Sequence, residues 1–238
     1  MENSHLSHLL REKDSLIELN GIVFGYPNRP PILKGADLYV GKEDKVALTG
    51  HNGSGKTTIL SIIMGLNKPQ GGEVFLLGKK RVTEKDFQPV RPLLGFVFQD
   101  ANDQLFSPTV ADDIAFGPLN LGHSKKEAQE IVEWVLGLLG LEGFENRVTH
   151  DLSGGEKKLV ALGTALALKP KMLILDEPST FLDINSQERI LEIILNLNLP
   201  FLLVSHDWNF IRKTGCRYLQ MREGQIQVLE KPPDPTEV

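Results

Sequence analysis

The sequence contains a single cysteine, Cys216, among its 238 residues. One thiol can form neither an internal disulfide nor a cysteine-based zinc cluster. Acidic residues outnumber basic ones, 31 to 26, and the formal net charge is −5, so no positive excess indicates a nucleic-acid partner. The longest nearly apolar stretch, residues 159–168, covers about half of the roughly 20 residues that a membrane-spanning helix requires. Since the chain opens with no recognisable signal peptide, we expect a protein that stays inside the cell.

Two segments near the start of the chain alternate apolar and polar residues, as half-buried strands do. They are residues 15–24 and 36–40, and the Pro- and Gly-rich residues 25–35 between them favour a turn. We therefore predict an antiparallel β region here. Residues 1–14 and 231–238 show no sustained pattern, and we expect both to be flexible tails.

Three unbroken apolar runs have the length of buried strands and adjoin helical sequence, which is typical of parallel sheets. These runs are residues 46–49, 172–175 and 201–205. Residues 124–139 carry apolar side chains at helical spacing, and Ser124 and Glu127 form a capping box at their start. The sequence therefore predicts an α/β fold.

A glycine-rich segment separates the first of these runs from a predicted helix at residues 57–65. It fits the pattern G-x-x-x-x-G-K-[ST] of phosphate-binding loops. Its residues are Gly50, His51, Asn52, Gly53, Ser54, Gly55, Lys56, Thr57 and Thr58. Glycines let successive backbone N–H groups face the β- and γ-phosphates of a nucleotide, while Lys56 adds a positive charge and Thr57 supplies a hydroxyl to Mg²⁺.

Two adjacent carboxylates, Asp176 and Glu177, follow the run at residues 172–175. Adjacent carboxylates repel each other, so both stay ionised most easily when a metal ion screens one of them. We therefore predict that Asp176 holds Mg²⁺ and that Glu177 is the general base that activates water. The alternative is a strand that ends in a solvated acidic turn.

Residues 152–156 precede a long predicted helix that runs through Leu168. Ser153 and Glu156 form a capping box, which accounts for the segment as an ordinary helix start. The first N–H groups of a helix have no helical partner, and Gly154 and Gly155 permit close approach. The segment is therefore also predicted to bind a phosphate.

In this order, the three motifs resemble the Walker A, signature and Walker B motifs of ABC ATPases, and the likeness covers nearly the whole chain. It implies a P-loop NTPase core with a mainly parallel sheet, an N-terminal antiparallel β region and an inserted helical subdomain at about residues 100–165, within one ATPase domain of residues 15–230. It further implies ATP and Mg²⁺ as ligands. The predicted assembly is a head-to-tail dimer in which Ser153 and Gly155 contact ATP held by the partner subunit.

Further family positions follow by the same resemblance. Tyr26 resembles the aromatic residue that stacks on adenine, and Asp183 the residue that crosses the dimer interface, although Asp183 could equally cap the following helix. Phe181 departs from the small residue that is common in that loop, which leaves the local packing open.

Two more positions complete the predicted catalytic set. Gln99 resembles the residue that touches Mg²⁺ and the attacking water, and His206 resembles the histidine that contacts the γ-phosphate. The catalytic residues implied are Lys56, Gln99, Glu177 and His206. The metal ligands implied are Thr57, Gln99 and Asp176.

Residues 96–106 and 109–121 resemble the ATPases of energy-coupling-factor importers, especially those for cobalt and nickel. Ala101 replaces a proline that is usual there. The resemblance implies integral membrane partner subunits and a place at the cytoplasmic face of the cell membrane. The alternative is an energy-coupling ATPase for the uptake of a vitamin.

Two other functions remain open at this point. One is a soluble ABC protein of translation or DNA maintenance, although such proteins usually fuse two domains or insert a coiled coil. The other is a regulatory subunit that binds ATP without turnover, which would need neither Glu177 nor His206.

Overall fold

The computed structural model of the protein describes residues 15–231. Apart from Lys231, the tails predicted at residues 1–14 and 231–238 lie outside the described residues. The chain divides into two compact units, one formed by residues up to Arg91 together with those from Pro200 onwards, and the other by residues 92–199. The limits predicted for the ATPase domain and its helical subdomain stay predictions.

The described elements follow one another as strands β1 to β10 and helices α1 to α7. In chain order they are β1 (Ser15–Phe24), β2 (Leu33–Gly41), β3 (Lys45–Thr49), α1 (Lys56–Ile63), β4 (Gly71–Leu76), β5 (Lys79–Arg81), α2 (Glu84–Phe87), β6 (Leu94–Val97), α3 (Val110–Asn120), α4 (Lys125–Leu139), α5 (Gly154–Leu166), β7 (Met172–Asp176), α6 (Ile184–Asn196), β8 (Phe201–Val204), α7 (Trp208–Lys213), β9 (Arg217–Arg222) and β10 (Gln225–Leu229). Short 3₁₀ helices occupy residues 91–93, 101–103 and 149–151.

The first unit contains an antiparallel sheet of four strands in the order β2-β1-β4-β5. Leu19 of β1 pairs with Leu38 on one side and with Val74 on the other. All three side chains are buried, so the alternation seen in the sequence corresponds to the buried face of a sheet. The predicted antiparallel region is therefore confirmed, with β1 at the predicted limits and β2 longer than predicted.

The same unit contains parallel strands, in which β3 pairs with β8 on one side and with β9 on the other. Leu48 of β3 is opposite Val204 and Leu219, and all three are buried. A strand flanked by two others and covered on both faces needs an unbroken apolar run. The predicted α/β class is confirmed by this pairing.

In the second unit, β6 and β7 form a parallel pair, with Val97 opposite Leu175. Helices α3, α4 and α5 lie between these strands in the chain. A Cβ added to Gly163 of α5 would come within 2.9 Å of Leu139 and Val135 of α4, so a glycine here allows close contact between the two helices. The predicted capping box of α4 is confirmed, because the backbone N–H of Ser124 donates to the Glu127 carboxylate at 2.7 Å.

Two helices end earlier than predicted. Helix α1 ends at Ile63 and is followed by Gly65 in the left-handed region at φ 68°, a conformation that commonly terminates helices. Helix α5 ends at Leu166. Among residues 15–231, no helix combines the length and the apolar character required to span a bilayer.

Candidate functional site

The glycine-rich loop leaves β3 at Thr49 and enters α1 at Lys56. Gly50 has φ 147°, and a Cβ on it would come within 2.7 Å of the backbone oxygen of Met221. Gly55 has φ 110°, and its Cβ would meet Leu33 at 2.9 Å. A side chain at either position would clash as well as strain the backbone, so the path of the loop explains both glycines.

The loop folds around the side chain of Lys56. Its Nζ donates to the carbonyl oxygen of Gly50 at 2.6 Å and to that of His51 at 3.2 Å, and the residue is 8% exposed. A lysine held by the carbonyls of a phosphate loop is preorganised, because little side-chain entropy remains to be lost when it contacts a ligand.

The start of α1 is suited to an anion. Its N-cap residue is Gly55, which offers no side chain to the first N–H groups of the helix, and these groups favour a negative ligand. Within the described residues, the buried Oγ of Ser54 has no hydrogen-bond partner. A buried hydroxyl without a partner costs free energy, and a phosphate oxygen would supply the missing acceptor. The residues present therefore fit a bound phosphate, and the exposed Thr57 at the helix start could supply a hydroxyl to a metal ion.

Tyr26 lies beside the same helix. Its hydroxyl is 3.3 Å from Oγ1 of Thr58, and its ring packs edge-on against Phe24 at a centroid distance of 5.1 Å. The residue is 40% exposed. A ring fixed on one side and open on another can stack on a planar base, so the geometry is compatible with the predicted contact to adenine.

His206 follows β8, the parallel neighbour of β3. Since parallel strands end at the same edge of a sheet, His206 and the glycine-rich loop leave the sheet at the same edge. His206 is exposed, while the next residue, Asp207, caps α7 by accepting a hydrogen bond from the backbone N–H of Phe210 at 3.0 Å. The first unit thus carries the loop, Tyr26 and His206.

In the second unit, β7 ends at Asp176, and the second predicted carboxylate, Glu177, follows directly after the strand. Asp176 is 5% exposed and Glu177 is 6% exposed. Glu177 has φ 47°, a left-handed conformation that costs a non-glycine residue about 1 kcal/mol or more. Strain of this kind concentrates at functional sites. The burial of both residues is inconsistent with the alternative of a solvated acidic turn.

Gln99 lies two residues beyond the end of β6, and β6 pairs in parallel with β7. The two strands deliver Gln99 and Asp176 to the same edge of the unit. The backbone oxygen of Gln99 accepts a hydrogen bond from Nζ of Lys158 at 2.5 Å, and that of Phe98 accepts one at 3.0 Å. The residue Gln99 is exposed.

Lys158 was missed by sequence reasoning. It lies on α5 and is 4% exposed, and burial lowers the pKa of its ammonium to about 8, against the opposing effect of the carboxylates of Asp176, Asp100 and Glu177. The available signal was a lysine on the apolar face of a helix, three and four residues before the buried Ala161 and Leu162.

The predicted capping box at the start of α5 is present. Ser153 donates its backbone N–H to the Glu156 carboxylate at 2.8 Å, and its Oγ accepts from the N–H of Glu156 at 3.3 Å. The hydrogen bond from the Ser153 backbone, followed by that from its hydroxyl, lowers the pKa of Glu156 below the usual range. Ser153 and Gly154 are exposed, so this helix start faces solvent in the single chain.

Asp183 caps α6, as the alternative interpretation predicted. Its carboxylate accepts the backbone N–H of Ser186 at 3.1 Å and the Ser186 hydroxyl at 2.6 Å. Two residues earlier, Phe181 has φ 64° and is 94% exposed. A cap role does not exclude a contact to another subunit, because Asp183 itself is exposed.

Metal binding by protein side chains alone has no support here. Among residues 15–231, no three or more His, Cys, Asp or Glu side chains come together in a way that could hold a metal ion. Mg²⁺ usually takes only one or two protein carboxylates and completes its shell with phosphate oxygens and water, and the assignment of Thr57, Gln99 and Asp176 as its ligands stays a prediction.

Residues 33–180 match the profile of the ABC transporter family. The chain belongs to this family. As an ABC ATPase it binds and hydrolyses ATP, and the predicted P-loop NTPase fold is confirmed by solved ABC cassettes. The cbiO1 protein of Clostridium perfringens, described as part of the ABC transporter complex cbiONQ, superposes with a TM-score of 0.82 at 29% identity, over 90% of this chain and 88% of that one.

Two further relatives show the same relationship. The energy-coupling factor transporter ATP-binding protein EcfA of Methanothermobacter thermautotrophicus is 40% identical over 215 residues, which are 89% of this ABC ATPase and 69% of that protein. The cassette MJ0796, a dimer bound to ADP and Pi in a post-hydrolysis state, superposes with a TM-score of 0.79 at 27% identity, over 90% of this chain and 99% of that one.

Proposed function

We propose that this ABC ATPase powers a membrane importer of the energy-coupling-factor type, with a transition-metal ion, cobalt or nickel, as cargo. The ATPase works as a head-to-tail dimer at the cytoplasmic face of the membrane, with a second copy or a homologous chain as its partner. The observation that carries the proposal is an exposed phenylalanine pair on the unit that holds Gln99.

The phenylalanine pair consists of Phe106 and Phe116. Their rings lie edge to face at a centroid distance of 4.8 Å, and the residues are 63% and 49% exposed. Leu119 and Leu121 on the same segment are also exposed. Apolar side chains grouped on a surface mark an interaction site, and an apolar segment of a membrane subunit is the partner that an importer would provide.

The dimer is supported by two exposed phosphate-binding ends in one chain. Residues 51–53 of the glycine-rich loop and Ser153 with Gly154 of the signature segment all face solvent. An ATP bound to the loop of one copy would present its γ-phosphate to the N-terminus of α5 in the other copy, where unpaired N–H groups favour an anion. The dimeric state described for MJ0796 agrees with this arrangement.

The chemistry follows from the residues present. Lys56 neutralises charge on the β- and γ-phosphates, and the backbone N–H groups of its loop hold them in place. Glu177 accepts a proton from water as the water oxygen bonds to the γ-phosphorus and the bond to the bridging oxygen of ADP breaks. His206 and the partner subunit's signature helix stabilise the negative charge on the γ-phosphate as it is transferred to water. Thr57, Gln99 and Asp176 would hold Mg²⁺, which would neutralise further charge on the phosphates.

The cargo assignment rests on residues 96–106 and 109–121, which resemble cobalt and nickel importers. The similarity to EcfA and to cbiO1 agrees with an energy-coupling-factor transporter. The assignment of the chain as the ATPase of an importer does not depend on which cargo is transported.

Co-purification in mild detergent tests the proposal. We expect the tagged chain to recover integral membrane subunits, and the Phe106→Ser and Phe116→Ser variants to lose them while keeping ATPase activity. In proteoliposomes, the recovered complex should accumulate labelled Co²⁺ or Ni²⁺ with ATP. Uptake of a vitamin instead would overturn the cargo, and recovery of ribosomes or DNA without membrane proteins would overturn the importer.

A further inference from the structure

The loop that carries Gln99 is attached to α5 at more than one point. Gln99 follows β6, where the backbone leaves its strand partner and needs other hydrogen-bond partners. Side chains provide them. Lys158 of α5 donates to the carbonyl oxygens of Phe98 and Gln99, at 3.0 and 2.5 Å.

Gln104 makes the second attachment. Its Oε1 accepts the backbone N–H of Phe98 at 3.0 Å, and its Nε2 donates to the carbonyl oxygen of Ala161 at 2.9 Å and to Oγ1 of Thr164 at 2.8 Å. Ala161 and Thr164 both belong to α5. Gln104 therefore links the N–H of Phe98 to α5, and Lys158 links the C=O of Phe98 to the same helix.

That helix begins at the signature segment. Ser153 is the N-cap of α5, and Lys158 lies five residues, or about 1.4 turns, beyond it. A helix is stiff over such a distance, so a displacement of its N-terminus moves the Nζ donor with it. Lys158 is buried and its long side chain has little freedom left to absorb the movement.

We propose that Lys158 and Gln104 are positioning residues that lock the backbone of Phe98 and Gln99 to α5, so that Gln99 follows the signature helix. Contact between the signature segment and a partner's nucleotide would thereby set the position of Gln99. The catalytic consequence rests on the role proposed above for Gln99; the attachment itself does not.

The attachment is tested by hydrogen exchange of the isolated, nucleotide-free chain. Lys158→Met keeps an unbranched apolar side chain, shorter by one atom, but removes its donors. We expect exchange at the amide of Phe98, whose N–H is hydrogen-bonded to Gln104, to accelerate at least about tenfold as the loop loosens, with exchange in α5 itself unchanged. Lys157→Met is the matched control, because Lys157 contacts only the side chain of Asn102 in this loop, at 3.1 Å, and Lys158→Arg should restore protection. Unchanged exchange in Lys158→Met would overturn the attachment whatever the activity.

The catalytic consequence is tested by a double-mutant cycle. Lys158→Met should lower kcat about tenfold with KM for ATP within about threefold, and Gln99→Ala should add little to it, because both changes act on the same group. If the double variant instead loses kcat by the product of the two single losses, Lys158 does not act through Gln99 and has only a structural role. If Gln99→Ala leaves kcat unchanged in the wild-type background, the role of Gln99 fails while the exchange result still decides the attachment.

Discussion

Gly155 in the first turn of α5 lies directly against Ser186 in the first turn of α6. A Cβ on Gly155 would overlap the Ser186 hydroxyl and come within 3.0 Å of its Cβ. The same hydroxyl donates to the Asp183 carboxylate at 2.6 Å. The glycine therefore has a structural reason besides the approach of a phosphate, since a side chain there would disturb the cap of the next helix.

Because of this contact, alanine substitution should affect the stability of the fold differently at the adjacent residues Gly154 and Gly155. We expect Gly155→Ala to lower the free energy of unfolding by about 1–3 kcal/mol, as overpacking does. Gly154→Ala should be nearly neutral, because a Cβ on Gly154 meets nothing within 4 Å. Urea denaturation measures the difference, and adding Ser186→Ala to Gly155→Ala should recover part of the loss. Equal destabilisation by both alanines would contradict the packing argument.

The loss of ATP hydrolysis in Gly154→Ala and Gly155→Ala should not follow their loss of stability. Both glycines belong to the predicted phosphate-binding helix start, where an added methyl group hinders the approach of the partner's nucleotide. We expect steady-state ATP hydrolysis to fall at least about tenfold in both variants, corresponding to about 1.4 kcal/mol. A fully active Gly154→Ala would show that this helix start does not contact nucleotide.

The second prediction concerns Glu177. Replacement by Gln keeps the shape of the side chain but removes the proton acceptor, and general bases contribute about 10²- to 10⁴-fold to a rate. We expect Glu177→Gln to lose hydrolysis by about that factor, to retain ATP binding, and to accumulate as a dimer in Mg-ATP by light scattering. The exposed Glu192→Gln serves as a control. Wild-type activity in Glu177→Gln would show that another group acts as the general base.

Local patterns were sufficient to predict much of the fold. The strand at residues 15–24, the capping box of Ser124 and Glu127, and the glycine-rich loop between β3 and α1 were all read correctly, because each is decided by neighbours a few positions apart. Residues close together in the sequence are sufficient to determine each of these features.

The contacts that sequence reasoning missed are distant in the chain. Lys158 binds carbonyl oxygens 59 and 60 positions before it, and nothing near Lys158 in the sequence specifies those partners. The contact of Gly155 with Ser186 likewise depends on how α5 and α6 pack. Such contacts require the three-dimensional arrangement, whereas a periodic pattern reveals only which face of a helix is buried.

The third prediction concerns Phe181. As an almost fully exposed side chain in the single chain, it contributes little to folding, so Phe181→Ala should change the free energy of unfolding by less than about 0.5 kcal/mol. If the ring is buried between subunits, each copy loses about 2 kcal/mol of apolar burial, and the dimer dissociation constant should rise at least about tenfold.

The measurement is sedimentation of the dimer formed in Mg-ATP, with Glu177→Gln present in both chains to prevent hydrolysis. Phe106→Ala provides the matched control, because Phe106 is also exposed but belongs to the surface proposed for the membrane subunit. An unchanged dissociation constant in Phe181→Ala would remove Phe181 from the interface.

The fourth prediction is a pH dependence at the start of α4. The hydrogen bond from the Ser124 backbone, then that from its hydroxyl, lowers the pKa of Glu127 below its usual value of about 4.3. Since the folded-state pKa is the lower one, the stabilisation is complete above about pH 4.3 and is lost as the pH falls through the folded-state pKa. Glu127→Gln should therefore reduce the melting temperature at pH 7, and the difference from wild type should shrink steadily toward pH 3. The exposed Glu142→Gln, outside any helix, controls for the general loss of negative charge. A difference that stays constant or grows on acidification would show that the Glu127 charge does not stabilise this helix start.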